Sequence, residues 1–294
     1  MAGTYEPVAV LGIGAMGHGM ADSALRAGIP VIVWDRRIEA ARDLAGRGAQ
    51  VAASAAEAAR LATIVVTMVT DADAVISIAR DQGMLAALAP GAIWVQMSTI
   101  GVAGIDAVAA LASAERPDVM LLDAPVSGSR DPAERGQLTI FASGPDEARS
   151  RVAPLFGALG QRTVWAGETG AGTRLKLVNN TWLAFANEAV AASVALAHQV
   201  GLATGTVVDA LGGSPLVSPW QAAKLDRIAA DEFSAQFALS LALKDVHLAL
   251  EAAGDGRLPV LACLAGEWQR AVDQGLGGQD LTVVTQVVGQ GEPL

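Results

Sequence analysis

Cysteine, histidine and positive charge are scarce in this sequence of 294 residues, and each scarcity excludes a class of protein. Cys263 is the only cysteine, so no intrachain disulfide can form. The three histidines, His18, His198 and His247, lack metal-ligand spacing, so the sequence predicts no metal site. Thirty acidic residues against twenty basic ones give a net charge of −10, which argues against nucleic acid or an anionic membrane as a partner.

Signals for targeting and for hydrolysis are also missing. No basic stretch with a cleavage site precedes the first apolar run, and the weakly charged run 177–200 is interrupted by Asn179, Asn180, Asn187 and Glu188. We therefore expect no signal peptide and no transmembrane helix, and we predict a cytoplasmic location. No Gly-x-Ser-x-Gly motif occurs, so a hydrolase nucleophile has no support.

What remains is a composition typical of a folded enzyme-sized protein. Hydrophobic residues make up 52% and charged residues 17% of the chain, and its length is enough for about two domains with a large core.

A glycine motif follows the first apolar run. Residues 8–11 predict a strand, residues 12–17 read Gly-x-Gly-x-x-Gly, and a helical pattern follows to about Arg26. In this context the motif predicts a dinucleotide site, with one glycine for the turn, one for the approach of a pyrophosphate and one for helix packing. The predicted cofactor-binding residues here are Gly12, Ile13, Gly14, Ala15, Met16 and Gly17.

The second apolar run ends in Asp35, Arg36 and Arg37, where a dinucleotide fold reads the ribose. An acidic residue suits a free 2′-hydroxyl and guanidinium groups suit a 2′-phosphate. Because two arginines follow directly, the sequence favours NADP over NAD, with NAD still possible. Either arginine alone is also compatible with an ordinary charged turn.

Strands alternate with helices through the first half of the chain. We predict strands near Gln50 and over 64–69, 93–96 and 120–122, with helices over 38–45, 55–61 and 102–114, which indicates a doubly wound parallel sheet. Ligands bind beyond the carboxyl ends of such strands, so we expect Met68, Val69 and Thr99 to line the cofactor crevice.

The loop 123–129, Asp-Ala-Pro-Val-Ser-Gly-Ser, follows the last of these strands. Its hydroxyl and N–H groups predict a seat for an anion such as a carboxylate, although an ordinary Ser/Gly turn is an equal alternative. A strand over 137–143, a helix over 147–156 and a strand over 162–165 complete a domain of residues 1–168.

The remainder, 169–294, predicts an all-α domain. A long helix over 172–200 is followed by helices over 204–211, 219–228, 239–253 and 258–274. The apolar surface of the long helix exceeds what a small bundle covers, so we predict a subunit partner.

Lys176 and Asn180 lie four residues apart at the start of the long helix and therefore share a face. They form either a solvated charge with a helix-end amide or a catalytic pair. A lysine base needs a pKa below its usual ~10.4, and we expect burial and the positive helix end to lower it.

Four motifs in order resemble those of the β-hydroxyacid dehydrogenases, the 3-hydroxyisobutyrate dehydrogenase-like enzymes. They are GIGAMGHGM, DAPVSGS, GAGTRLKLVNN and LKDV, and the resemblance extends to GLGGQDLTVV near the C-terminus. It implies a Rossmann domain, a helical domain that builds a homodimer or homotetramer, and NAD(P)-dependent interconversion of a small 3-hydroxy acid and its aldehyde or keto form.

The resemblance also implies roles for individual residues. Lys176 matches the catalytic lysine and Asn180 the residue that orients substrate. The matching substrate-side residues are Ser127, Gly128, Ser129, Thr99, Asp245 and Phe237, and Lys244 pairs with Asp245 and contacts the cofactor. Ser129, Arg130 and Asp131 depart from the family's usual smaller residues, so the substrate itself stays open.

Two rival functions remain. An imine reductase has a similar first domain and a similar helical architecture, but such enzymes are expected to lack this lysine. A non-catalytic dinucleotide-binding protein would keep the glycine motif but need not keep Lys176, Asn180 and the 123–129 loop together.

Overall fold

The computed structural model describes residues 5–289 and divides into two compact units, Met1–Lys176 and Leu177–Leu294. The division falls within a single helix that runs from Ala171 to Gln199. The first unit therefore includes the first turn and a half of that helix, beyond the predicted boundary at residue 168.

A parallel sheet forms the centre of the first unit. Within residues 5–176 it has six strands in the order β3-β2-β1-β4-β5-β6, which is the order of a dinucleotide-binding fold. This confirms the predicted doubly wound sheet. The strands are β1 (Val8–Leu11), β2 (Val31–Trp34), β3 (Gln50–Val51), β4 (Ile64–Thr67), β5 (Ile93–Gln96) and β6 (Met120–Asp123).

The strands are continuous apolar runs because both faces of the sheet are covered. In β1, Val8 and Val10 pack into one cluster of buried residues, whereas Ala9 and Leu11 pack into another. Since successive side chains point to opposite faces, the four residues contribute to two cores at once.

Helices connect the strands of the first unit. Their bounds are α1 (Ala15–Arg26), α2 (Arg42–Gly46), α3 (Ala55–Arg60), α4 (Ala72–Ile76), α5 (Met84–Ala87), α6 (Gly101–Glu115), α7 (Arg130–Glu134) and α8 (Arg149–Leu159). The predicted helix 38–45 is a 3₁₀ turn, Ile38–Ala41, followed by α2. The sequence prediction missed α4, a π-helical turn over Ser77–Asp81 and α5, which are segments of only four or five residues; Gly83, directly before α5, has a left-handed φ of 72°.

A second, smaller sheet lies in the same unit. It has the order β7-β8-β9, with β7 (Val126–Ser127) antiparallel to β8 (Leu138–Ala142) and β8 parallel to β9 (Gly160–Trp165). The predicted strands at 137–143 and 162–165 form this separate sheet. Because β7 contains Ser127, the first residue of the predicted carboxylate seat, the small sheet fixes the backbone where that turn begins.

The second unit is helical, as predicted. Its helices are the remainder of α9 (Ala171–Gln199), α10 (Thr204–Leu211), α11 (Pro219–Ala229), α12 (Leu239–Ala253) and α13 (Pro259–Ala271), with a 3₁₀ turn over Leu281–Gln286. The predicted helix 258–274 ends its regular part at Ala271 and continues as a π-helical turn with Gly275 at a φ of 84°. No helix in the described part of the chain has the length and hydropathy needed to span a bilayer.

Candidate active site

Three glycines shape the turn between β1 and α1, each for a different reason. Gly12 has a φ of 96°, and a Cβ on it would lie 2.3 Å from the Met68 carbonyl oxygen. A Cβ on Gly17 would lie 1.9 Å from the carbonyl oxygen of Gly12, so the helix packs directly on the turn. Gly14 differs, since a Cβ there would meet no protein atom within 4 Å.

The open space at Gly14 fits a pyrophosphate. Helix α1 begins at Ala15, directly after Gly14, with no side-chain cap and no acidic residue in its first turn. The N–H groups of the first turn, including those of Ala15 and Met16, have no carbonyl partner within the helix. A bare backbone beside the positive end of a helix is the arrangement that binds phosphate groups.

Both carboxylate oxygens of Asp35 accept hydrogen bonds from the backbone. Its Oδ2 accepts the Ile13 N–H at 2.8 Å and its Oδ1 accepts the Arg37 N–H at 2.8 Å. The carboxylate thus ties the end of β2 to the glycine turn. The side chains of Arg36 and Arg37 are exposed, and neither has an ion-pair partner among residues 5–289.

The carboxyl ends of β4 and β5 are joined by a buried polar network that the sequence analysis missed. The Val69 N–H donates to Ser98 Oγ at 2.8 Å, and the Gln96 side chain bridges the N–H and the carbonyl of Ser98. This network fixes the loop of Met68 and Val69 and places Thr99 immediately after Ser98. Asp71, in the loop that follows β4, caps α4 by accepting the Ala74 N–H at 2.8 Å.

The predicted carboxylate seat is a turn between β7 and α7. Ser127 is the last residue of β7, Gly128 has a φ of 128°, and Ser129 precedes α7 without a capping hydrogen bond from its hydroxyl. A Cβ on Gly128 would lie 2.7 Å from Leu138 Cδ2, so only glycine fits this turn. The guanidinium of Arg130 is engaged by Glu134 at 2.8 Å.

Lys176 belongs to the first unit and lies in the second turn of α9. It is buried, with 7% of its surface exposed. The first turn of the same helix is held on the carboxyl end of β6, where Asp123 Oδ2 accepts the Thr173 N–H at 2.7 Å. The amine is therefore carried by a helix turn fixed to the cofactor edge of the sheet.

Asn180 and the Lys244–Asp245 pair belong to the second unit and contact each other. The Asn180 amide donates to Asp245 Oδ2 at 2.6 Å, and Lys244 Nζ lies 2.8 Å from Asp245 Oδ1. Asp245 is buried and serves here to orient Asn180.

The backbone of Phe237 is held by Asp280, a residue outside this group. Its N–H donates to Asp280 Oδ2 at 3.1 Å, which fixes the loop that precedes α12.

Two family models together cover nearly the whole chain. One, described as the NAD binding domain of 6-phosphogluconate dehydrogenase, matches residues 7–167. The other, described as the NAD-binding domain of NADP-dependent 3-hydroxyisobutyrate dehydrogenase, matches residues 170–288.

Named relatives match over nearly their full lengths. Glyoxylate/succinic semialdehyde reductase 1 of Arabidopsis thaliana is 31% identical over 96% of this chain and 98% of its own. An NAD-dependent L-serine dehydrogenase of Pseudomonas aeruginosa is 32% identical over 96% of this chain and 97% of its own.

Solved structures give the same result. A 3-hydroxyisobutyrate dehydrogenase from Salmonella typhimurium superposes with a TM-score of 0.86 at 28% identity and covers 96% of this chain and 99% of its own. An imine reductase from Myxococcus stipitatus in complex with NADP⁺ is more distant, with a TM-score of 0.65 at 20% identity over 96% of this chain and 99% of its own. The latter likeness concerns the fold.

The glycine turn, the bare start of α1 and the matches to both domains agree. The protein is an oxidoreductase that uses NAD(P) and acts on hydroxyl or aldehyde groups. The chain belongs to the β-hydroxyacid dehydrogenases, the 3-hydroxyisobutyrate dehydrogenase-like family.

Proposed function

We propose that the protein interconverts a small 3-hydroxy acid and its aldehyde or keto form, with Lys176 as the general acid/base and Asn180 as the residue that orients substrate. The observation that carries the proposal is the buried Lys176 on a helix turn anchored to the carboxyl end of β6. A buried lysine at a ligand-binding edge is a candidate for proton transfer, because acids and bases that act on a ligand are typically buried beside it.

Different residues of the chain have different roles in the proposed reaction. The turn at Gly12–Gly17 holds the dinucleotide, whose nicotinamide takes up or supplies a hydride when bound. In oxidation, the Lys176 amine accepts the proton of the substrate hydroxyl, and in reduction the ammonium returns a proton to the carbonyl oxygen. Asn180, oriented by Asp245, donates an amide N–H toward the substrate. The lowered pKa that this role requires of Lys176 stays a prediction.

The Ser127–Ser129 turn is the proposed seat for the substrate carboxylate. The relatives named for glyoxylate, succinic semialdehyde and L-serine act on small molecules with a carboxylate close to the reacting group. Hydroxyl and N–H donors on a rigid turn suit such a carboxylate.

The test of the chemistry is a panel of small hydroxy acids and their aldehydes, followed by the absorbance of reduced nicotinamide. In the Lys176→Ala variant we expect turnover to fall by about 10² or more while the dissociation constant of NADPH is unchanged, since the lost term is proton transfer. Arg80→Ala, at an exposed position outside the proposed site and interface, is the control. Retention of more than about a tenth of turnover in Lys176→Ala would contradict the role.

NADP is the proposed cofactor because Arg36 and Arg37 have free guanidinium groups while Asp35 is committed to two backbone N–H groups. Arg36→Ala should weaken NADPH binding by roughly 1.5–3 kcal/mol, the worth of a charge-assisted pair, and leave NADH binding nearly unchanged. Titration of both cofactors by fluorescence measures this, with Arg80→Ala as an exposed control. Equal losses for both cofactors would remove the reason to prefer NADP.

The imine reductase alternative has weaker support, because the imine reductase likeness is confined to the fold. Adding a cyclic imine to the substrate panel separates the two activities. Faster reduction of the imine than of every aldehyde would favour the alternative.

A homodimer or homotetramer is proposed from the surface of α9. Val178, Trp182, Phe185 and Leu196 lie on one stripe of the helix and remain exposed, Trp182 by 80%; Val200, the residue after the helix, is exposed as well. An apolar stripe of this length is typical of a surface that a second copy covers. Light scattering should give a monomer for Trp182→Glu and a larger species for the wild type. A wild-type monomer would refute the proposal.

A cytoplasmic location stays a prediction from composition.

A further inference from the structure

Asp123 is a fully buried carboxylate. It takes no direct part in the acid/base reaction proposed for Lys176. It is the last residue of β6 and has 0% exposure. Its Oδ2 accepts the Thr173 N–H at 2.7 Å, and its Oδ1 accepts the Thr173 hydroxyl at 2.7 Å. Both carboxylate oxygens are thus directed at one residue of the first turn of α9.

Ser143 binds the neighbouring residue of the same turn. The Gly172 N–H donates to Ser143 Oγ at 2.9 Å, and Ser143 is paired with Asp123 through two backbone hydrogen bonds of 3.0 and 2.8 Å. Two N–H groups at the start of α9, which a helix leaves without internal partners, are therefore satisfied by residues 50 and 29 positions away in the chain. We call Asp123, Ser143, Gly172 and Thr173 the α9 anchor.

The α9 anchor also fixes the height of the helix above the strands. A Cβ on Gly172 would lie 2.2 Å from the Phe141 carbonyl oxygen and 2.7 Å from that of Asp123. The helix backbone therefore rests directly on the ends of β6 and β8. Since the hydrogen bonds to Thr173 set the rotation of the turn, neither the height nor the rotation of the first turn is free.

We propose that Asp123 is a positioning residue for Lys176: through Thr173 it fixes the turn from which Lys176 projects, and its negative charge stabilises the ammonium form there. The inference deepens the proposed function and rests on it. Thr173 and Lys176 are three residues apart and are neighbours on the helix surface. A carboxylate is also favourable at the positive end of a helix.

The charge of Asp123 is present in the working range of a lysine acid/base. Burial raises the pKa of Asp123 to about 6, against the lowering effects of Thr173, Ser143 and the charge of Arg174. Arg174 is exposed and lies 3.4 Å from Asp106, so it is shared between two carboxylates. Above about pH 6, Asp123 is an anion held by N–H and hydroxyl donors.

The experiment compares Asp123→Asn, Thr173→Val and Thr173→Ser with Glu6→Gln. Asp123→Asn removes the charge and retains a side chain of the same size, whereas Thr173→Val removes a hydroxyl donor. Glu6→Gln makes the same charge change in the ion pair with Arg151, beside the amino end of β1. For each variant, kcat, KM, NADPH affinity and thermal unfolding are measured. In addition, the acetylation of Lys176 by acetic anhydride is followed as a function of pH, without cofactor, by peptide mass spectrometry.

We expect kcat to fall roughly 10- to 100-fold in Asp123→Asn and Thr173→Val, with KM and NADPH affinity within about twofold, because a misplaced acid/base slows the chemical step alone. Thr173→Ser should restore kcat. The midpoint of Lys176 acetylation should move to lower pH in Asp123→Asn, since the ammonium loses a nearby anion, and should not move in Glu6→Gln.

A lower unfolding temperature in Asp123→Asn, with unchanged kcat and an unchanged acetylation midpoint, would overturn the proposal and leave the α9 anchor a purely structural device. Failure of the proposed function gives a different result. If Lys176→Ala retained turnover, Lys176 would lose its chemical role, whereas the acetylation midpoint would still decide whether Asp123 governs the protonation of that amine.

Discussion

Among residues 5–289, each unit contains one aspartate with 0% exposure, and the two are stabilised in different ways. Asp123 accepts hydrogen bonds from Thr173 and Ser143, all neutral donors. Asp280 forms an ion pair with the buried Lys224, at 2.8 Å, and also accepts N–H groups from Gln236 and Phe237.

The difference appears in the pKa values. Burial acts to raise the pKa of both carboxyls. For Asp123 it prevails and the pKa rises to about 6, whereas for Asp280 the Lys224 ammonium and the N–H donors of Phe237 and Gln236 outweigh it and the pKa is lowered. A buried carboxyl without a nearby cation has a raised pKa, so it can gain or lose its proton near neutral pH. A buried carboxyl paired with a cation stays ionised. The comparison suggests a switchable group beside the proposed acid/base and a permanent ion pair in the helical unit.

The largest effect is expected when the ion pair is broken. Lys224→Met leaves the Asp280 charge buried without its cation, so the free energy of unfolding should fall by about 3–5 kcal/mol. Urea unfolding followed by tryptophan fluorescence measures this. Arg270→Met, which breaks an exposed pair with Glu267, should change it by less than about 1 kcal/mol. Similar losses in both variants would mean that Asp280 does not depend on Lys224.

A smaller effect on the free energy of unfolding is expected at Asp123. Its dependence on pH should have the opposite sign to that of Asp280. The folded pKa of Asp123, about 6, lies above the ordinary 3.8, so the folded state binds the proton more tightly and the ionised form is destabilising. Wild-type stability relative to Asp123→Asn should therefore fall as pH rises from about 4 to 6, by up to about 3 kcal/mol.

Asp280 should give the reverse trend, since its stabilisation is present above the ordinary pKa and is lost as pH falls through the lowered one. Urea unfolding of the wild type, Asp123→Asn and Asp280→Asn at several pH values measures both. Parallel trends for the two aspartates would remove the distinction between them.

The smallest effect concerns the hydroxyl donors. Thr173→Val removes a donor from a carboxylate that has no buried cation, so we expect a loss of roughly 1.5–3 kcal/mol. Thr282→Val removes a hydroxyl donor at 3.0 Å from Asp280, which keeps Lys224 and three N–H groups, and roughly 0.5–1.5 kcal/mol should be lost. Thermal unfolding of both variants tests the order, and a larger loss for Thr282→Val would reverse the comparison.

Sequence patterns were sufficient for the elements that depend on local chemistry. The apolar runs, the roles of Gly12 and Gly17 and the helical second half follow from periodicity and from the glycine spacing, and the structure confirms them. The π-helical turn at Ser77–Asp81 was not predictable in this way, because its register depends on packing against neighbouring elements.

The hydrogen bonds that position the site residues could not be predicted from the sequence for a different reason. Asp123 and Thr173 are 50 residues apart, and no spacing rule connects the end of a strand to the start of a helix so far along the chain. Likewise, the family resemblance implied that Asp245 lies near the substrate, but its contact with Asn180 spans 65 positions. The roles assigned to Lys176, Asn180 and the Ser127–Ser129 turn stay predictions, and the variants above decide them.

The position of the unit boundary after Lys176 has a consequence for how new enzymes of this kind can be assembled. The amine and its α9 anchor are encoded with the nucleotide-binding unit, and Asn180, Lys244 and Asp245 are encoded with the other. A chimera joined in α9 directly after Lys176 would thus inherit its proposed proton-transfer group from one parent and its substrate-orienting amide from the second. Such a chimera would keep the proposed carboxylate seat at Ser127–Ser129 from the first parent and take only the proposed substrate-orienting residues from the second.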